Sequence, residues 1–152
     1  MECIVLIGIQ ASGKSTFYKE RYLDTHLRLN MDMLRTRYRE KLLLQAFVEA
    51  KQPFVVDNTN PLPEDRAKYI EAARTQRFRI VGYFFVPDYE ESVRRNARRT
   101  GKTQVREIGI QSVAKKLVQP NYAEGFDELY AVTSKDGSFT VEPIEKEEET
   151  QG

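Results

Sequence analysis

At 152 residues, 40% hydrophobic and 31% charged, the chain has the size and balance of one globular domain rather than a disordered or fibrous polymer. Its formal net charge of +1 hides an asymmetry, because residues 142–149 carry five Glu against one Lys and leave +5 on the remainder. That remainder is too mildly basic for a protein gripping long duplex DNA by charge alone. No apolar run approaches the roughly 20 residues that span a bilayer, and no signal-peptide pattern opens the chain. The single Cys3 excludes an internal disulfide framework and suits a reducing compartment. A cytoplasmic protein with no membrane partner is the expectation.

Taken in order, apolar runs rich in β-branched and aromatic residues predict strands near 2–8, 27–30, 53–57, 79–86 and 128–133. Between them, helical patterns fall near 14–23, 32–51, 63–76, 88–99 and 106–118. This alternation predicts an α/β fold: a parallel sheet of about five strands with helices on both faces. FVVD and IVGYFFV lack clean polar alternation, as strands covered on both sides should. A last short strand around Ser138–Val141 follows the Lys135-Asp136-Gly137 turn. We expect one domain over 1–141 with a helical lid near 94–119, then a disordered acidic tail over 142–152.

Directly behind the first strand stands GIQASGKST. Gly8, Gly13, Lys14 and Ser15 fit the phosphate-cradling pattern G-x-x-x-x-G-K-[ST] in its strand–loop–helix setting. Glycine permits the backbone angles and close approach such a loop needs, so that its N–H groups, with those opening the next helix, can face phosphate oxygens. Ser12 belongs to the same loop. Lys14 would reach the β- and γ-phosphates, Ser15 would ligate Mg²⁺, and Thr16 could touch the α-phosphate. ATP, or another nucleoside triphosphate, with Mg²⁺ is the expected cofactor.

Three further stretches bear on what receives the phosphate. In LNMDMLRTR, Asp32 is either a carboxylate for an incoming hydroxyl or the cap of the second helix. Arg35, three residues on, could hold an anionic acceptor. In VVDNTNP, Asp57 could hold a water of the magnesium shell or orient the acceptor, or it could simply polarise a turn. In RRNARRTGK, Arg95 and Arg99 share one helix face, as do Arg94 and Arg98, and form either a lid over the triphosphate or a solvated basic surface.

Together, GIQASGKST, the Asp32/Arg35 pair, VVDNTNP with Arg66 downstream, Arg95-Asn96-x-x-Arg99 and PNYAEGFDELYAV resemble the kinase module of 5′-hydroxyl polynucleotide kinases. The resemblance covers residues 3 to about 133, and it implies a P-loop kinase acting on 5′-OH ends of DNA or RNA. It implies Lys14 and Ser15 on ATP and magnesium, Asp32 as general base, and Arg35 on an acceptor phosphate. Asp57 would support the acceptor or the metal shell, Asn60 and Arg66 would bind the acceptor, and Arg95 and Arg99 would clamp the donor. No phosphatase or ligase signature accompanies these motifs, so such modules of an end-healing system are candidate partners, and the chain is either free-standing or an excised module. The alternatives are a small-molecule kinase for a sugar, antibiotic or sugar nucleotide, and a nucleotide-binding switch without transfer activity.

Overall fold

The structure, a computed structural model, describes residues 1–101 and 104–147. β1 (Glu2–Ile7) lies at the centre of a six-stranded sheet, with β3 (Phe54–Asp57) and β4 (Arg79–Phe85) as its parallel neighbours. β2 (Leu27–Leu29) pairs with β3 and forms one edge; β5 (Glu128–Lys135) pairs with β4, again in parallel. The strand order is β2-β3-β1-β4-β5-β6.

Both faces are covered, which explains the unbroken apolar runs. Cys3, Val5 and Ile7 pack with Leu44 and Val48 of α3 (Arg37–Glu49) and Tyr69, Ile70 and Ala73 of α4 (Pro63–Thr75). The alternate residues Ile4 and Leu6 pack with Phe17 and Tyr18 of α1 (Lys14–Arg21) on the other face. A strand buried on both sides has no polar face to show. Among the described residues, no helix is long and apolar enough to cross a membrane.

The structure departs from the sequence reading in two places. The helix expected over 32–51 is two: α2 (Met31–Leu34), then α3. Arg35 adopts φ 73°, which halts α2, and the Thr36 side chain accepts from the Arg39 N–H to start α3. The last strand expected near Ser138–Val141 is present as β6 (Ser138–Pro143), which turns back antiparallel on β5 through Asp136 and Gly137, both at positive φ as a tight hairpin demands. Its ladder takes in Glu142 and Pro143, and the Ile144 N–H donates to Leu129 O at 2.8 Å. The acidic segment therefore starts on the sheet, while its last residues, 148–152, lie outside the described ones.

The segment expected to form a lid contains α5 (Tyr89–Arg98), capped by the Asp88 side chain, and α6 (Glu107–Lys116). Asn96 ties them together by accepting from Val105 N at 2.8 Å and donating to Val105 O at 2.5 Å. Of the expected Thr100-Gly101-Lys102 hinge, Lys102 falls outside the described residues.

Candidate active site

Residues 8–13 turn sharply from β1 into α1. Gly13 sits at φ 99°, and a Cβ there would stand 2.9 Å from the Phe139 ring. A Cβ at Gly8 would meet Phe85 Cβ at 2.9 Å. Both glycines are thus demanded by space, and Gly13 also by its backbone angle. The loop is tethered to the end of β3, since Gly8 N–H donates to Thr59 O at 3.0 Å.

Lys14 is buried, and its ammonium donates to Gly8 O at 3.0 Å, Ile9 O at 2.6 Å and Ser12 Oγ at 3.3 Å. Burial pulls its pKa down to about 8, with nearby Arg99 pushing the same way and Asp57 and Asp32 opposing. Ser12 is buried within the loop and Thr16 is exposed on the first turn of α1.

Lys14, Ser15, Asp32, Asp57 and Arg99 line one cleft of about 310 Å³ beyond the carboxyl ends of β1, β2 and β3, where open α/β sheets place ligands. Cleft and P-loop are joined by the Ser15 hydroxyl, which donates to Asp57 Oδ2 at 2.9 Å. The first turn of α1 is also the cleft's wall. Gln10 Oε1, in the same lining, is the only buried side-chain polar atom without a hydrogen-bond partner among the described residues.

Asp32 does not cap its helix. That role belongs to Asn30, whose Oδ1 accepts from Met33 N at 3.1 Å while its Nδ2 donates to Asp57 O. The Asp32 turn is held from beneath as well. Met31 N–H donates to Asn58 Oδ1 at 3.0 Å, Asn58 donates to the Tyr69 hydroxyl at 3.2 Å, and that hydroxyl donates to Glu40 at 2.8 Å. Glu40 is buried on α3 and takes Arg37 and Lys68 as further partners. Burial alone would raise its pKa, but the bonds from Lys68, Tyr69 and Arg37 prevail and hold it below the usual carboxylate range.

On α5 and at its C-cap, Arg95 and Arg99 face inward and are half-buried, whereas Arg94 and Arg98 are exposed. Arg99 reaches the cleft, and burial together with Arg95 lowers its pKa. Arg95 borders a neighbouring hollow of about 400 Å³ lined also by Ser12, Pro87, Thr133 and Ser134; it donates to Ser134 Oγ at 2.6 Å and pairs with Glu91 at 3.3 Å.

Three expected acceptor residues stand elsewhere. Arg35 is exposed at the break between α2 and α3, and Arg37 is the arginine of this segment that lines the cleft. Asn60 is buried, donating to Leu6 O at 2.8 Å, so it braces the loop after β3. Arg66 is fully buried: its guanidinium donates to Asn60 O at 2.9 Å, Pro61 O at 3.0 Å and Val118 O, and pairs with Glu124 at 3.0 Å. With those donors engaged it frames the loop that carries Asn58 and Thr59, and touches no ligand surface.

Sequence reasoning missed Arg28 and Phe139. Arg28 lies mid-way along β2 and bonds both Asp57 and Ser15. Phe139 on β6 packs edge-on against Phe17 and Phe85 behind Gly13. A cation at the centre of an edge strand and an aromatic in a hairpin carry no motif, and only the sheet order brings them to the P-loop.

No cluster of three or more His, Cys, Asp or Glu side chains that could hold a metal occurs among the described residues. The Ser15–Asp57 pair nevertheless fits a magnesium ion that takes most of its ligands from phosphate and water. The guanidinium of Arg28 standing against both oxygens shows that positive charge is accommodated there.

Fold and site together define a P-loop domain of the kinase type. Residues 35–120 match the family described as an AAA domain, and the chain belongs to that family. It is 31% identical over 143 residues to a bifunctional polynucleotide phosphatase/kinase from Schizosaccharomyces pombe, a match covering 88% of this chain and 34% of that protein. The chain thus spans about a third of the length of the curated relatives it matches. Among solved structures it superposes on a gluconokinase from Sinorhizobium meliloti (TM-score 0.62, 20% identity, 87% of this chain and 82% of that one). Chaetomium thermophilum Kti12 in complex with ADP-AlF3 is also similar (TM-score 0.66, 16% identity, 88% and 90%). These two likenesses concern the fold.

Proposed function

We propose that this domain transfers the γ-phosphate of ATP, or of another nucleoside triphosphate, to the 5′-hydroxyl end of DNA or RNA. The observation that carries the reading is the convergence of Asp32, Lys14 and Arg99 on one cleft at the strand ends. Similarity to a polynucleotide phosphatase/kinase over 88% of this chain supports the choice of acceptor.

In this reading the 5′-hydroxyl oxygen attacks the γ-phosphorus while the bond to the bridging oxygen of the nucleoside diphosphate breaks. Asp32 orients the hydroxyl and takes its proton. Lys14 leaves the P-loop carbonyls for phosphate oxygens, and Arg99 and Arg95 close from the lid to offset charge on the transferred group. The loop amides and the opening turn of α1 hold the donor phosphates through Gly8, Ser12, Gly13, Ser15 and Thr16. Magnesium, when bound through Ser15 and the water shell of Asp57, would supply further charge compensation at the phosphates. Arg35, exposed at the break between α2 and α3 and outside the cleft lining, would meet an acceptor phosphate only on a strand that runs beyond the cleft.

The test is transfer of label from γ-labelled ATP to 5′-OH oligonucleotides of DNA and RNA. Labelled ends support the proposal. ATP consumption with a sugar or sugar nucleotide but with no nucleic acid end would favour a small-molecule kinase instead.

A further inference from the structure

The Ser15–Asp57 pair has a resident partner. Arg28 Nε and Nη2 each lie 2.8 Å from Asp57 Oδ2, and Nη2 also donates to Ser15 Oγ at 3.0 Å. Since Ser15 itself donates to the same carboxylate oxygen, the three side chains close a triangle around one point. Asp57 is only 3% exposed there, and Arg28 24%. The hydroxyl lone pair and the carboxylate oxygen that a divalent cation would use are therefore both held by a guanidinium.

Arg28 also has somewhere else to go. Its side chain lines both the cleft and an adjoining apolar hollow formed by Tyr18, Leu27, Met33, Leu43 and Phe47. Nη1 already stands 3.1 Å from Met33 Sδ at the boundary, and the guanidinium carbon is 6.0 Å from the centre of the Tyr18 ring. A flat, weakly hydrated cation can lie on such an aromatic and thioether surface, where an ammonium would be less at ease.

We propose that Arg28 is a two-position counter-cation: it neutralises Asp57 when no metal is present, and magnesium with nucleotide must displace it into the Tyr18–Met33 hollow. Guanidinium and metal cannot share the pair, because like charges a few ångströms apart repel strongly even in a partly solvated site. Arg28 thereby sets the magnesium concentration at which nucleotide binds. The inference rests on the nucleotide–magnesium reading of this site but not on the identity of the acceptor.

The test is magnesium-dependent binding of a fluorescent ADP, followed alongside thermal melting of metal-free protein. Arg28→Gln should lower the half-saturating magnesium by about tenfold, as expected when a competing charge is removed, and should also lower the metal-free melting temperature. Met33→Glu alters a residue that is 60% exposed, so the fold should survive it. It offers the outward position a carboxylate and should shift the magnesium requirement the same way, and the shift should vanish in the double variant with Arg28→Gln. In wild-type protein the Arg28 Nε–H resonance should be protected without metal and lose protection with magnesium and ADP. An unchanged or raised magnesium requirement in Arg28→Gln, an undiminished Met33→Glu effect in the double variant, or a protected Nε–H in the loaded protein would each overturn the inference. Wild-type protein that bound no nucleotide at any magnesium concentration would contradict the nucleotide-site reading and this inference together. Bound nucleotide with an Arg28-independent requirement would contradict the inference alone.

Discussion

Ser15 and Asp57 meet at 2.9 Å although they lie 42 positions apart, one on the first turn of α1 and the other ending β3. Parallel pairing of β1 with β3, in which Leu6 stands beside Asp57, is what brings them together. Asp57→Ala should strip Ser15 and Arg28 of a shared acceptor. We expect phosphoryl transfer to fall by about two powers of ten and stability by about 2 kcal/mol. Steady-state kinetics and urea unfolding check both, and near-normal activity would show that the pair is not used.

Lys14 makes the site sensitive to pH. Burial lowers its pKa to about 8 from an ordinary 10.5, so the folded chain releases this proton before the unfolded chain does. Between those values the unfolded state binds more protons, and this group's contribution to stability therefore rises with pH. Phosphate, however, requires the ammonium form. Nucleotide binding near pH 8 should take up a proton, and affinity should fall above it. Calorimetry in two buffers of different ionisation enthalpy measures the uptake; proton-neutral binding would refute it.

Arg66 separates a framing role from a ligand-binding one. Arg66→Ala leaves half-buried Glu124 and three carbonyls without their cation and should cost about 3 kcal/mol, near the lower end for broken buried pairs. Arg66→Lys should recover part of that stability and show an unaltered acceptor KM in the folded protein. A stable Arg66→Ala variant with a raised acceptor KM would return this residue to the substrate.

Gly13 is constrained twice, by φ 99° and by the Phe139 ring 2.9 Å from where a Cβ would stand. Gly13→Ala should weaken nucleotide binding by at least about tenfold, the effect of roughly 1.4 kcal/mol of backbone strain. Phe139→Ala in the same chain should not restore it, because removing the ring frees space without relieving the angle. Full rescue in an equilibrium binding assay would assign the effect to crowding alone.

What the sequence disclosed was local, and what it concealed was tertiary. GIQASGKST announced both its loop and its helix because phosphate cradling needs those residue types in that order. The five apolar strands were equally plain. Asp32 remained ambiguous until Asn30 and Thr36 were seen to take the capping roles, one before α2 and the other before α3. The break at Arg35 was hidden since a positive φ at arginine has no composition signal. Asn60 sits in a conspicuous motif and Arg66 just downstream of it, yet their bonds turn inward to the loop. Arg28 showed nothing at all: an arginine on an edge strand reads as solvated until the register puts it against Asp57.

The account is tested most directly by comparing wild-type protein with Asp32→Asn in transfer of labelled γ-phosphate to a 5′-OH oligonucleotide. Wild-type protein should label the end. The variant should lose at least about two powers of ten in rate while binding ATP normally, since only proton acceptance and alignment are removed. Equal labelling by both proteins, or ATP turnover that ignores both Asp32 and the oligonucleotide, would contradict it.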